Sequence, residues 1–129
     1  MEAKRITPRW MNSLNEGEIF VFGSSLDGFH GEGLAYLAMR WGAVWGQGVG
    51  LQGQTYAIPA MFRTVEEIKP YVDEFLRFAK EHPELKFYVS EIGSGMAGFT
   101  PEEIAPLFKP SVDENIENVY LPESFAEII

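Results

Sequence analysis

The sequence contains no cysteine, which excludes disulfides, thiolate nucleophiles and Cys-based zinc sites. Histidine is scarce: His30 and His82 are the only two, too few for a multi-histidine metal centre. Positive charge is scarce as well. Ten Lys and Arg stand against nineteen Asp and Glu, a formal net charge of −9. A chain this acidic lacks the clustered cations that broad binding to nucleic acid or an anionic membrane requires. No apolar run approaches the ~20 residues that cross a bilayer, and the charged start Met1-Glu2-Ala3-Lys4-Arg5 leads into no signal-peptide core. Together these absences predict a cytoplasmic protein with no metal, cofactor, nucleic acid or membrane partner.

What is present points to a packed globular chain. Apolar residues make up 46% and aromatics 14% of 129 residues, enough to offset the entropy of ordering one domain over 1–129 but not two. Residues 1–17 read as an irregular N-terminal arm. The continuous apolar run Ile19-Phe20-Val21-Phe22 reads as a strand buried on both faces. From Gly31 to Trp41 the period becomes helical, with Leu34, Leu37, Ala38 and Trp41 on one side and Gly42 as a stop. Five glycines between 42 and 53 mark a loop, and Thr55-Tyr56-Ala57-Ile58 a short strand ended by Pro59.

Residues 64–81 carry the clearest amphipathic stripe, Ile68, Val72, Phe75, Leu76 and Ala79. Thr64 and Glu67 have capping-box spacing, while Pro70 predicts either a kink or a later helix start. Leu85 to Ile92 is the second strong strand. Thr100-Pro101-Glu102-Glu103 opens a short helix, and Asn118-Val119-Tyr120-Leu121 predicts a last strand. Alternating strands and helices of this kind imply an α/β fold, expected here as a three-layer α/β/α sandwich with a mixed, largely parallel sheet.

Two glycine-rich segments follow buried strands and lead into helices. One is Gly23-Ser24-Ser25-Leu26-Asp27-Gly28-Phe29-His30-Gly31-Glu32-Gly33. The other is Gly93-Ser94-Gly95-Met96-Ala97-Gly98-Phe99. Glycine lets successive N–H groups face one concave side close to an anion, and a following helix adds unsatisfied donors. The same glycines would also serve plain tight turns. Two such loops in strand-to-helix context point towards a phosphate-bearing ligand.

The second loop, with Thr100-Pro101 after it, resembles the phosphate loop of macro domains, the family that binds ADP-ribose. Residues 21–34 resemble that family's first binding loop, and Thr55 to Pro59 its intervening strand. Over about residues 18–108 the chain is also similar to a group of short phage and bacterial proteins. The shared features are Phe22-Gly23-Ser24, the stretch Gly50 to Pro59, and the Gly-x-Gly-x-Ala-Gly loop at 93–98. The resemblance implies a macro-like fold and binding of ADP-ribose or a related phosphorylated nucleotide. The ligand contacts it implies are Gly23, Ser24, Ser25, Gly31, Gly33, Gly93, Ser94, Gly95, Met96, Ala97, Gly98 and Phe99. Departures from the pattern weigh against hydrolysis and, less strongly, against adenine recognition. Ser25 stands where many members carry Asn, Ala35 stands near the Asp of the hydrolytic branch, and no counterpart of the adenine-binding Asp precedes Glu18.

Within the first loop, Asp27, His30 and Glu32 are the candidate catalytic cluster: His30 as a general base oriented by either acid, or all three as a solvated polar surface. Glu91 precedes the second loop on a strand that burial would leave in need of a partner. Gln47, Gln52 and Gln54 carry amides able to read a base or ribose edge. Three functions follow. Nucleotide binding leads, an ADP-ribosyl hydrolase using His30 is the second, and an interaction protein with a vestigial site is the third.

Overall fold

Alternation decides which way each strand faces. A computed structural model of the chain describes residues 5–9, 11–31, 33–93 and 97–129. In β1 (Glu18–Ser24) the side chains of Ile19 and Val21 enter one apolar cluster and those of Phe20 and Phe22 enter another. Successive strand residues point to opposite faces, so a continuous apolar run buries both. The run Ile19 to Phe22 therefore lies at the centre of the sheet, as its composition predicts.

After β1 come α1 (Gly33–Ala38), β2 (Gly50–Gln52), β3 (Thr55–Pro59) and α2 (Lys69–Glu81). Then follow β4 (Lys86–Val89), α3 (Pro101–Ile104), α4 (Pro110–Asp113), β5 (Val119–Tyr120) and α5 (Glu123–Ala126). The five strands form one mixed sheet in the order β2-β3-β1-β4-β5. β1 pairs in parallel with both β3 and β4, and β4 with β5; only β2 runs antiparallel to its neighbour β3. The register puts Val21 opposite Tyr56 on one side and Val89 on the other. The chain is thus α/β with a mostly parallel sheet. Among the described residues no helix is long and apolar enough to cross a membrane.

The larger cluster gathers Ile19, Val21, Tyr56, Ile58, Phe87 and Val89 from the strands with Ile68, Val72, Phe75, Leu76 and Ala79 around α2. Ile104, Phe108 and Phe125 complete it from the C-terminal third. The smaller cluster joins Phe20, Phe22 and Ala57 to Ala35 and Ala38 of α1 and to Ala43.

Of the two outcomes Pro70 allows, the later helix start is the one observed: α2 begins at Lys69 and the ring sits in the first turn, where an N–H has no partner to lose. Two local expectations change. The preceding turn, Val65–Glu67, is 3₁₀. The Thr64 hydroxyl donates to the Glu67 carboxylate at 3.1 Å and caps no backbone N–H. A complete capping box forms instead at Thr100 and Glu103, where each side chain accepts from the other's backbone N–H. Finally, part of the glycine-rich stretch 42–53 is strand: β2 folds back on β3 through Gly53, whose φ of +62° suits a tight hairpin.

Candidate functional site

In an open α/β sheet the ligand crevice opens beyond the carboxyl ends of the strands, where two neighbours send their connections in opposite directions. β1 and β4 are such a pair. The chain leaves β1 towards β2 and β3 on one edge and leaves β4 towards β5 on the other. Between them lies a cleft of about 460 Å³, within the size range of small-molecule sites.

Its walls come from three carboxyl ends. Gly23, Ser24, Ser25, Asp27 and Phe29 follow β1, Ala60 and Met61 follow β3, and Glu91, Ile92, Gly93 and Ala97 follow β4. Gly33, Leu34 and Ala35 of α1 close the remaining side. The two glycine-rich segments singled out from the sequence therefore meet across one cavity. Ser94, Gly95, Met96 and Glu32 lie outside the described residues.

The first loop is fixed by a latch. Its backbone lies directly on the segment 46–48: Gly46 N–H donates to Gly28 O at 2.9 Å, and the Ser24 hydroxyl donates to Gly48 O at 2.5 Å. A Cβ on Gly28 would come within 2.4 Å of the Gln47 nitrogen, and one on Gly48 within 2.1 Å of Ser25 O. These two glycines serve close approach of one backbone to another.

Glutamine amides complete the latch. Gln52 is buried; its Nε2 donates to Gln47 O and Gly50 O, and its Oε1 accepts from Val44 N–H at 2.6 Å. Gln47 Nε2 donates to Val49 O and Leu51 O, and Gln54 Nε2 to Asn15 O and Glu18 O. The amides expected to read a ligand edge hold backbone carbonyls instead, those of Gln47 and Gln52 within their own segment and that of Gln54 at and just ahead of the start of β1, because buried backbone acceptors must be satisfied.

His30 is fully buried, at 0% exposure, and is not among the residues lining the cleft. Its Nε2 donates to Gln47 O at 3.1 Å and its ring meets Phe22 edge to face. With Nε2 donating to that carbonyl, Nδ1 has no hydrogen-bond partner among the described residues. The alternation that carries Phe29 outward turns His30 inward. Asp27 does line the cleft, and the Ser25 hydroxyl donates to it, which holds its carboxyl below the ordinary range. Glu91 is exposed at the mouth and accepts from the Ser124 hydroxyl at 2.7 Å.

Gly31, Gly98 and Phe99 do not line the cleft. Phe99 packs, half buried, against the larger core, and its N–H donates to Gly93 O at 2.8 Å. Leu34, Ala35, Ala60, Met61 and Ile92 line it without having been named as ligand contacts from the sequence. They carry no chemistry of their own; their signal was position, just past a parallel strand or at the helix start facing it.

The described lining contains two carboxylates and no Lys or Arg. An anion here would meet main-chain N–H groups, because the hydroxyl protons of Ser24 and Ser25 already go to Gly48 O and Asp27, while hydroxyl or amino groups of a ligand would find Asp27 and Glu91. A second groove of about 730 Å³ adjoins the cleft, sharing Leu34 and Glu91 and including Arg9 and Arg40. Among the described residues no group of three or more His, Asp or Glu is placed to hold a metal ion. No protein-family model matches the chain, and neither a curated protein nor a solved structure matches it.

Proposed function

We propose that this protein binds ADP-ribose or a related phosphorylated nucleotide in the cleft between the loops after β1 and β4. The observation that carries the reading is topological. Two loops chosen from the sequence for their capacity to hold phosphate converge at the switch point of the sheet, where α/β folds take their ligands. The phosphates would lie on the glycine-rich backbone near Gly23, Gly93 and Ala97, and ribose hydroxyls would donate to Asp27 and Glu91. A macro-like three-layer α/β/α arrangement and a cytoplasmic setting belong to the same reading.

Binding is favoured over turnover. His30, the side chain best suited to proton transfer near neutral pH, is withdrawn behind the loop and tied to Gln47 O.

Ala97→Glu tests the reading, because it adds a carboxylate and bulk to a cleft-lining position in the second loop. Calorimetric titration with ADP-ribose should show saturable binding to the wild type and a loss of tenfold or more in the variant. Absence of heat with the wild type, or equal affinity in Ala97→Glu, would sink it.

A further inference from the structure

We propose that Phe29, braced by Trp45, is the specificity-determining residue of the cleft and stacks on the flat heteroaromatic base of the bound nucleotide. The inference rests on the nucleotide-binding reading and adds which part of the ligand is recognised, and by what.

Phe29 lines the cleft yet is 57% exposed, a large apolar side chain left uncovered at the lip of a cavity. Its neighbour Trp45 is 56% exposed and meets it edge to face, with ring centroids 5.0 Å apart and planes at 73°. That geometry suits the aromatic quadrupole and fixes one ring by the other. Trp45 comes from the segment 42–53, so the latch between the two loops also carries the brace.

Gly31 points the same way. Its φ lies outside the left-handed region, so the backbone does not demand glycine there. A Cβ would instead come within 2.6 Å of Phe29 Cζ. The absent side chain is the space in which the Phe29 ring rests.

The hydrogen bonds around the ring match a nucleoside. The Ser25 hydroxyl donates to Asp27 and accepts from Phe29 N–H at 3.3 Å, tying a ring face and a carboxylate acceptor into one turn. A flat ring beside hydroxyl or amino donors is the chemistry such a turn recognises. Phe29, not Phe99, is thus the aromatic that faces the cleft.

The test compares ADP-ribose with ribose 5-phosphate, which has no base, by calorimetry on wild type, Phe29→Ala, Phe29→Tyr and Gly31→Ala. Loss of a stacking aromatic weakens binding by roughly five- to 150-fold. That loss is expected for ADP-ribose in Phe29→Ala, with Phe29→Tyr within about threefold of wild type because it keeps the ring. Gly31→Ala, which displaces the ring, should fall between them. Ribose 5-phosphate should not distinguish the four proteins. Thermal melting controls for folding, and an exposed residue such as Phe29 should leave the midpoint unchanged.

Equal ADP-ribose affinity in Phe29→Ala overturns the inference and leaves the cleft reading standing. Parallel losses for both ligands overturn it too, since Phe29 would then shape the loop and not read the base. A wild type that binds neither ligand overturns both.

Discussion

The two faces of the sheet are built on different principles. On the α2 face, bulk does the work: Phe75, Phe87, Phe108 and Phe125 are fully buried among Ile and Val side chains. On the α1 face the buried set is thin, Phe20 and Phe22 against four alanines. The cleft draws on both clusters, Ala35 from the thin side and Ala60 and Ile92 from the other, but its latch lies beside the thin side. There, backbone approaches backbone at Gly28 and Gly48, and buried polar groups (Ser24, His30, Gln52) set the distances through hydrogen bonds. Apolar burial is non-directional and tolerates small shifts, whereas a hydrogen-bonded latch specifies positions. The contrast predicts that stability and site geometry can be separated in this molecule.

The largest effect should come from the bulky face. Phe75 touches the rings of Tyr56, Phe87 and Phe108 with centroids 5.1 to 6.3 Å away. Phe75→Ala should cost about 3–5 kcal/mol, the usual range for removing a buried phenylalanine, measured by urea unfolding. Below the transition, the affinity of the remaining folded protein for ADP-ribose should be unchanged. If ligand affinity fell with stability, the two faces would be one cooperative unit and the contrast would fail.

The reverse behaviour is expected at Gly48. A Cβ there would lie 2.1 Å from Ser25 O and 2.6 Å from Leu26 O, both backbone atoms that no side-chain rotation can move aside. Gly48→Ala should therefore push the first loop off its partner and weaken ADP-ribose binding by tenfold or more. The cost in stability should be smaller, roughly 1–3 kcal/mol as for other overpacking changes. Calorimetry and urea unfolding on the same preparation give both numbers. Unchanged affinity would show that the latch does not shape the cleft.

The strands and α2 of the bulky face were legible in the sequence, whereas Ile104, Phe108 and Phe125 from the C-terminal third were not. The legible signals are local periods: the α2 stripe from Ile68 to Ala79 and the runs in β1, β3 and β4 each name their own buried residues. The pairing of the two glycine loops across one cleft was legible too, because strand-then-glycine context implies a carboxyl end. What stayed hidden is what depends on contacts between distant segments. Glycines 42–53 read as a loop, yet Gly50–Gln52 pairs with β3, since a three-residue strand with one large apolar side chain leaves no period to detect. The glutamines looked available until the Gln52 Oε1 was found to accept from Val44 N–H and the Gln54 amide to donate to Asn15 O. Likewise, nothing in the order Gly28-Phe29-His30-Gly31 says which ring turns inward. The decision comes from Gln47 O and Phe22, which hold His30, and from Trp45, which holds Phe29.

The smallest predicted effect concerns a polar group on the bulky face. Tyr56 is buried against Phe75 and Phe78. Burial, with the negative charge of Glu74 adding to it and Arg77 opposing, pushes its phenol up to about 12. The unfolded chain gives up this proton near 10. Between those values the folded state binds more protons than the unfolded state, so the slope of unfolding free energy against pH is negative. The contribution is fully present below pH 10 and is lost as pH rises towards 12; its size is on the order of 1 kcal/mol once solvent screening is allowed for. Tyr56→Phe should keep its stability near neutral pH and flatten the decline between pH 10 and 12, measured by urea unfolding across that window. Tyr88 is also raised, by burial first and then by the hydroxyl's hydrogen bond to Glu18 at 2.9 Å. An unflattened decline in Tyr56→Phe would therefore move the effect to Tyr88 and take it off the α2 face. A flattened one would show that even the titration of that face follows from burial, while the opposite face is governed by hydrogen bonds between its loops.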